Sequence, residues 1–309
     1  MLIDCHVHLN NYYIEEGRHP RPTRENVERL FREMAQHGVD HAVVLTSYLV
    51  DVERPAVEEI LEILAEDPRT TVIEGLRWRS DKRTDLFMME ERIRDGVVKG
   101  IKLYPGYDRY PINDPSLEAV FRIAEKHGVP VMIHCGDTFA KGAKVRMAHP
   151  LLVDDVAVDF PDVRFVICHL GNPWFVDAAE VLYKNENVYA DVSGLALVEP
   201  GEAYTRFLAD GVQRLVAYLG DPGPKLMYGT DWPLADMGMY RRLFDGLGLP
   251  EASMDGILWK TAAEMFRIEV PARRSPAPGT GERGATSCNA ARVRDTVEVD
   301  SRVGRPPKP

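Results

Sequence analysis

Short apolar runs alternate with longer stretches of helical periodicity from the first residue to about residue 270. Runs at 40–46, 70–76, 98–104, 130–134, 163–169, 188–192 and 225–229, together with Met1-Leu2-Ile3 and the residues that follow it, read as eight strands. Between them the pattern predicts helices over 24–37, 55–66, 85–95 and 202–219, a helix that Asp114-Pro115 opens with a cap before a first-turn proline, and a last helix near 256–267 on the outside. Two helix ends repeat one motif: Gln36-His37-Gly38-Val39-Asp40 and Lys126-His127-Gly128-Val129-Pro130 each read as helix end, left-handed glycine cap and strand start. Strands that alternate with helices at this density imply parallel pairing and right-handed crossovers. Eight such units predict an α/β fold, a single (β/α)8 TIM-type barrel over residues 1–270 with no flanking β-sandwich domain.

Residues 271–309 break the pattern. They hold Ser275-Pro276-Ala277-Pro278-Gly279-Thr280-Gly281 and scattered charges with few large apolar groups. Such a segment buries too little surface to offset its ordering, so a disordered tail is expected.

Composition changes this picture little. Hydrophobic residues at 45% and charged residues at 28% are ordinary for a globular protein. No apolar run approaches the roughly 18 residues of a membrane span, and Met1 leads straight into strand residues with no basic segment, so no membrane contact and a cytoplasmic location are expected. Cys5, Cys135 and Cys168 form no CxxC pair, which fits a reducing compartment. As strand neighbours of inward residues they are expected to point outward beneath the helices. The net charge of −10 is uneven: the tail carries eight Arg and Lys against four acids, which leaves the body at −14. An acidic body argues against nucleic acid. The expected partner is a small molecule, with the chain acting alone or as a homodimer.

The chemistry lies where the strands end. His6 and His8 are two apart on the first strand, so both imidazoles project to one side and make half of a divalent-metal site. From His8 to Lys102 is 94 residues, then 32 to His134, 35 to His169 and 62 to Asp231, so each interval is close to a whole number of βα units of about 31 residues. In a parallel barrel all strands open on one face at their C-terminal ends, where this architecture places its active sites. His37 and His127 belong to helix ends and His41 to a strand start, and none is expected in the site.

The stretches Asp4-Cys5-His6-Val7-His8, Gly100-Ile101-Lys102-Leu103-Tyr104-Pro105, Ile133-His134-Cys135-Gly136, Cys168-His169-Leu170-Gly171 and Tyr228-Gly229-Thr230-Asp231-Trp232-Pro233 resemble the successive signatures of the amidohydrolase superfamily. The resemblance is to its amidohydrolase-related branch, which includes metal-dependent hydrolases and the aminocarboxymuconate semialdehyde decarboxylase type, and it covers residues 1–270. It implies that His6, His8, His134 and Asp231 hold one divalent metal, with zinc expected. It further implies that Asp231 moves the proton of an activated water, and that His169 polarises the substrate or serves as acid and base. Three roles for Lys102 stay open: a carboxylated bridge that would bring a second metal, a cation for a substrate carboxylate, or an internal ion-pair partner.

Specificity is expected from the loops. Tyr12, Tyr13, Arg18 and His19 follow the first strand, Tyr107, Arg109 and Tyr110 the fourth, and Lys141, Lys144 and Arg146 the fifth. Lys102, Tyr104 and Arg146 are the substrate-binding candidates, and basic groups on an acidic body suggest an anionic substrate. Hydrolysis of an amide, ester or lactone is the first expectation. Non-oxidative decarboxylation of an unsaturated or aromatic acid is the second, and a non-catalytic metal-binding barrel the third.

Overall fold

The computed structural model describes residues 1–11, 20–64, 67–78 and 82–270. The tail expected to be disordered, and Tyr12, Tyr13, Arg18 and His19, lie outside the described residues. Eight strands run in chain order: β1 (Ile3–Val7), β2 (His41–Leu45), β3 (Thr70–Gly75), β4 (Ile101–Leu103), β5 (Val131–Ile133), β6 (Phe165–Ile167), β7 (Val188–Asp191) and β8 (Leu226–Met227). Each pairs in parallel with the next. The seam closes just past β8, where Asp231 N donates to His6 O at 2.8 Å, His8 N donates to Trp232 O, and Val7 bridges Trp232. The result is the expected TIM-type barrel.

Helices α1 (Thr23–His37), α2 (Val57–Leu64), α3 (Lys82–Arg94), α4 (Glu118–His127), α5 (Leu151–Asp159), α6 (Phe175–Lys184), α7 (Glu202–Leu219), α8 (Met237–Asp245) and α9 (Thr261–Phe266) follow the strands. Helix α1 buries Val27, Leu30 and Met34 along one stripe and ends at Gly38 with φ 69°, a left-handed cap that costs glycine little. Gly128 ends α4 the same way at φ 60°, so the repeated motif has one physical cause. Asp114 accepts from Ser116 N and caps the turn Pro115–Leu117 that opens α4. No helix among the described residues is long and apolar enough to cross a membrane.

The hydrogen-bonded strands are shorter than the apolar runs that mark them. Val98 and Val163 are buried without belonging to a strand, because burial between barrel and helices continues past the last ladder bond. Two layers of core result. Alternate residues such as Val44, Ile101, Ile133 and Ile167 face the helices, whereas Ile3, Val43, Ile73, Met132, Val166 and Met227 fill the barrel interior.

Three expectations are corrected here. Helix α9 does not cover the outside: Ala262, Met265 and Phe266 join the interior layer and plug the barrel beside strand starts such as Ile3. Cys5 and Cys168 also belong to that interior layer, and only Cys135 packs toward the helices. Strict alternation fails in β1 because the register shifts between Asp4 and Val7. After β6 it fails because His169 and Leu170 take φ of 61° and 49°, which lets consecutive residues turn inward.

Candidate functional site

The strand ends converge as the spacing predicts. A cavity of about 400 Å³ opens there, lined among others by His6, His8, Lys102, Tyr104, His134, His169 and Asp231. His6 and His8 come from β1 with ring centroids 5.3 Å apart, and His169 lies 4.9 Å from His6 and 5.0 Å from His134. Asp231 sits just past β8 at φ 70° and His169 just past β6 at φ 61°. A non-glycine residue in the left-handed region costs of order 1 kcal/mol or more, a strain that recurs at functional positions. Gly194 makes room for both: a Cβ there would lie 2.7 Å from His169 Nδ1 and 3.0 Å from Asp231 Oδ2.

Every one of the four imidazoles is held by its other nitrogen. His6 Nδ1 donates to Asp191 Oδ2 at 2.9 Å, His8 Nδ1 to Leu45 O at 2.7 Å, His169 Nδ1 to Ser193 O at 3.1 Å, and His134 Nε2 to Asp137 O at 2.8 Å. These acceptors carry no proton, so the hydrogen is on the histidine and the tautomer is fixed. Nε2 of His6, His8 and His169, and Nδ1 of His134, are left with lone pairs. Such outer bonds accompany metal-ligating histidines.

Among the described residues two compact donor groups share His6, one with His8 and Asp231 and one with His169 and Asp191, each with ligand atoms within 4.8 Å of one another. In the second, Asp191 already accepts from His6 Nδ1, which leaves the first as the candidate for a metal. Asp231 Oδ1 lies 3.4 Å from His8 Nε2 and 3.7 Å from His6 Nε2. Carboxylate and lone pair face each other in a buried site, an arrangement that calls for a proton or a metal ion between them. A divalent cation therefore fits the donors. His134 stands outside this compact group but lines the same cavity, against Tyr107 at 4.7 Å between centroids.

The electrostatics agree. Burial lowers the pKa of His6 to about 4 and lowers those of His134 and His169 as well. Burial alone would raise Asp231, but the imidazoles of His8, His6 and His169 outweigh it and lower its pKa to about 2. Asp191, also pushed up by burial, is held well below the carboxylate range by His6 first and then by the charges of His169 and Lys102. At neutral pH His6, His134 and His169 are neutral, and Asp191 and Asp231 are ionised.

These shifts make stability depend on pH. Between about pH 4 and 6.5 the unfolded chain carries protons on His6, on His41, whose pKa burial lowers to about 4, and on His134 and His169 that the folded chain lacks. Stability therefore rises with pH through that window. Asp4 acts oppositely. Burial raises its pKa to about 7 despite bonds from Thr230, so its contribution is full below the usual carboxylate value and is lost as pH rises through about 7. Four rings outnumber the two carboxyls that burial raises, Asp4 and Glu74, so the chelated protein should show a melting temperature that climbs from about pH 4.5 to 6.5 and then flattens. Scanning calorimetry checks this, and a flat profile below pH 6.5 would mean that the rings are charged in the folded state.

Other candidates fall on both sides of the cavity wall. Tyr104 lines it, its hydroxyl donating to Thr46 O at 2.7 Å. Lys102 lies at the floor, 1% exposed, with Nζ 2.8 Å from Cys168 Sγ and not in an ion pair with Asp231. Arg146, on the turn Val145–Ala148, is exposed with Lys141 and Lys144, and none of the three lines the cavity. Tyr48, Arg54, Tyr107 and Asn172 do line it, and the sequence had marked only Tyr107. Asp191 and Ser193 escaped the sequence reading, although Asp191 is a polar residue at the end of β7, the signal that found the others. His37, His41 and His127 lie elsewhere, bonded to Glu33, Thr71 and Glu90.

A family model described as "Amidohydrolase" matches residues 3–268. No curated protein matches the chain. Among solved structures, an uncharacterised TIM-barrel protein, Bb4693 from Bordetella bronchiseptica, superposes with TM-score 0.67 at 20% identity, covering 86% of this chain and 98% of its own. The 5-carboxyvanillate decarboxylase LigW from Sphingomonas paucimobilis gives TM-score 0.59 at 15% identity, over 87% and 99%. A dihydroxybenzoic acid decarboxylase from Polaromonas sp. JS666, with bound manganese and 2-nitroresorcinol, gives 0.59 at 12% identity, over 86% and 96%. At these identities the likeness establishes the fold.

Proposed function

Because the chain belongs to the amidohydrolase family and is an enzyme of that type, we propose that it is a metal-dependent hydrolase of an amide, ester or lactone in a small anionic molecule. His6, His8 and Asp231 would hold one divalent cation, with His134 Nδ1 as a further donor and zinc as our choice of metal. When bound, that cation supplies Lewis acidity to a substrate carbonyl and acidifies water. Lys102 is turned to Cys168, which supports one metal rather than a lysine-bridged pair.

The chain's own residues handle the proton. Asp231, ionised at neutral pH, can accept a proton from water and return it to the leaving group. His169, anchored through Nδ1 to Ser193, presents Nε2 to the cavity as a second acceptor or to orient the substrate oxygen. The observation that carries hydrolysis is this pair: an ionised carboxylate and a neutral imidazole are both proton acceptors, as activation of water requires.

Decarboxylation is the second reading, favoured by the aromatic wall of Tyr48, Tyr104 and Tyr107 and by the named activities of two similar structures. It needs a proton donor for the carbanion, and a neutral His169 would first have to take one up. A cytoplasmic location accompanies either reading, since Cys5, Cys135 and Cys168 are free and buried.

Metal analysis followed by a panel of lactones, amides and unsaturated acids tests the proposal. The expected result is bound divalent metal, with titratable acid from a lactone or free amine from an amide. Carbon dioxide from an acid, with no hydrolysis anywhere in the panel, would overturn it.

A further inference from the structure

We infer that Lys102 is an anion seat at the cavity floor, and that the molecule bound here enters with a carboxylate that pairs with it. The inference rests on the cavity being the active site, and it adds what the substrate must carry and where that group goes.

Lys102 lies in β4 between Ile101 and Leu103, which face the helices, so its own side chain enters the barrel. It is 1% exposed, lines the cavity, and finds one hydrogen-bond partner among the described residues, Cys168 Sγ at 2.8 Å. Burial pushes that thiol well above its usual range, so it is a neutral neighbour and no counter-ion. The Tyr104 ring, 5.3 Å from Nζ to its centroid, adds only a weak attraction. No carboxylate oxygen of the described residues lies within 4.0 Å of Nζ, although the cavity has two buried carboxylates nearby.

Those carboxylates are committed. Asp191 accepts from His6 Nδ1, from the backbone N of His169 and Ser193, and from Ser193 Oγ. Asp231 faces His8 and His6. Arg54, the other cation lining the cavity, already meets Asp51 at 2.6 Å. A buried ammonium needs an anion beside it, and since the described residues place none within 4.0 Å of Nζ, a carboxylate on the ligand is the partner that fits. Had residue 168 been an aspartate, the fold would have closed the pair itself. A cysteine keeps the amine in place and leaves it without an anion within 4.0 Å among the described residues.

The test uses the full-length protein as purified, with benzoate as the anionic probe and benzamide as its neutral counterpart, at fixed ionic strength. Benzoate at about a hundredfold excess over its dissociation constant should raise the melting temperature by about 5 °C, and benzamide should not. Lys102→Met should melt at or above the wild-type temperature without ligand, since it removes a buried amine that has no anion beside it, and should lose the benzoate response. Cys168→Asp, which supplies an internal counter-ion and keeps the lysine, should lose it too. For any compound turned over, Lys102→Met should raise KM at least tenfold.

A benzoate response that persists in Lys102→Met would overturn the inference, because the anion would then sit on the metal or elsewhere. A lower melting temperature of unliganded Lys102→Met would overturn it as well, in favour of an internal structural role. A wild-type response with no compound hydrolysed leaves the seat standing and removes the hydrolase. Turnover with KM unchanged in Lys102→Met does the reverse.

Discussion

Asp231→Asn is expected to release the divalent metal and to lower kcat/KM by about 10³-fold or more. In the proposed reading this single side chain does two jobs. Its Oδ1 faces His8 Nε2 at 3.4 Å and His6 Nε2 at 3.7 Å, so the metal loses the anionic member of its donor group. Asp231 is also ionised at neutral pH and so open to a proton, which an amide is not. The contrast is His169→Asn. That ring is anchored to Ser193 rather than placed in the group of His6, His8 and Asp231, so its loss should leave metal content intact while kcat falls about 10²–10⁴-fold. Metal content after dialysis, measured beside kcat for both variants, separates the roles. Equal loss of metal from the two would merge them.

The site was largely legible in the sequence because a parallel barrel turns position along the chain into position in space. A polar residue closing an apolar run at intervals of one βα unit must stand on one rim, and His6, His8, Lys102, His134, His169 and Asp231 all line one cavity. What escaped depends on contacts that periodicity does not encode. Asp191 acts through His6, 185 residues away in the chain. Cys168 and His169 turn inward together only because of a left-handed turn, and period-two reasoning sends one of them outward. Arg146 has the right charge on the right loop, but loop membership does not say which way a side chain leaves it, and this one meets solvent. The last helix is apolar enough for either side of the barrel, and it was the open bottom of the interior layer that took it.

Asp191→Asn should cause the largest combined loss of stability and function of any substitution outside the metal donors. The exchange preserves size and leaves an oxygen for the backbone N of His169 and Ser193. It cannot keep His6, whose Nδ1–H would meet either an N–H or an uncharged oxygen in place of Oδ2. The ring is then free to carry its proton on Nε2, where the lone pair for the metal is required. Metal affinity should fall about 10–100-fold, the usual effect of removing a partner that orients a ligand.

Stability should fall by about 2–4 kcal/mol, because a buried charge that accepts four donors is replaced by a neutral group, and the melting temperature should drop by about 5–10 °C. The sign of the pH dependence gives a further check. Asp191 is held below the usual carboxylate pKa, so its contribution is complete above that value and fades only as pH falls through the lower, folded one. The deficit of the variant should therefore be the same at pH 6 and pH 8, and should narrow only in acid. A deficit that grew between pH 6 and 8 would mean that the carboxyl is protonated at neutrality, and that His6 is oriented by something other than its charge.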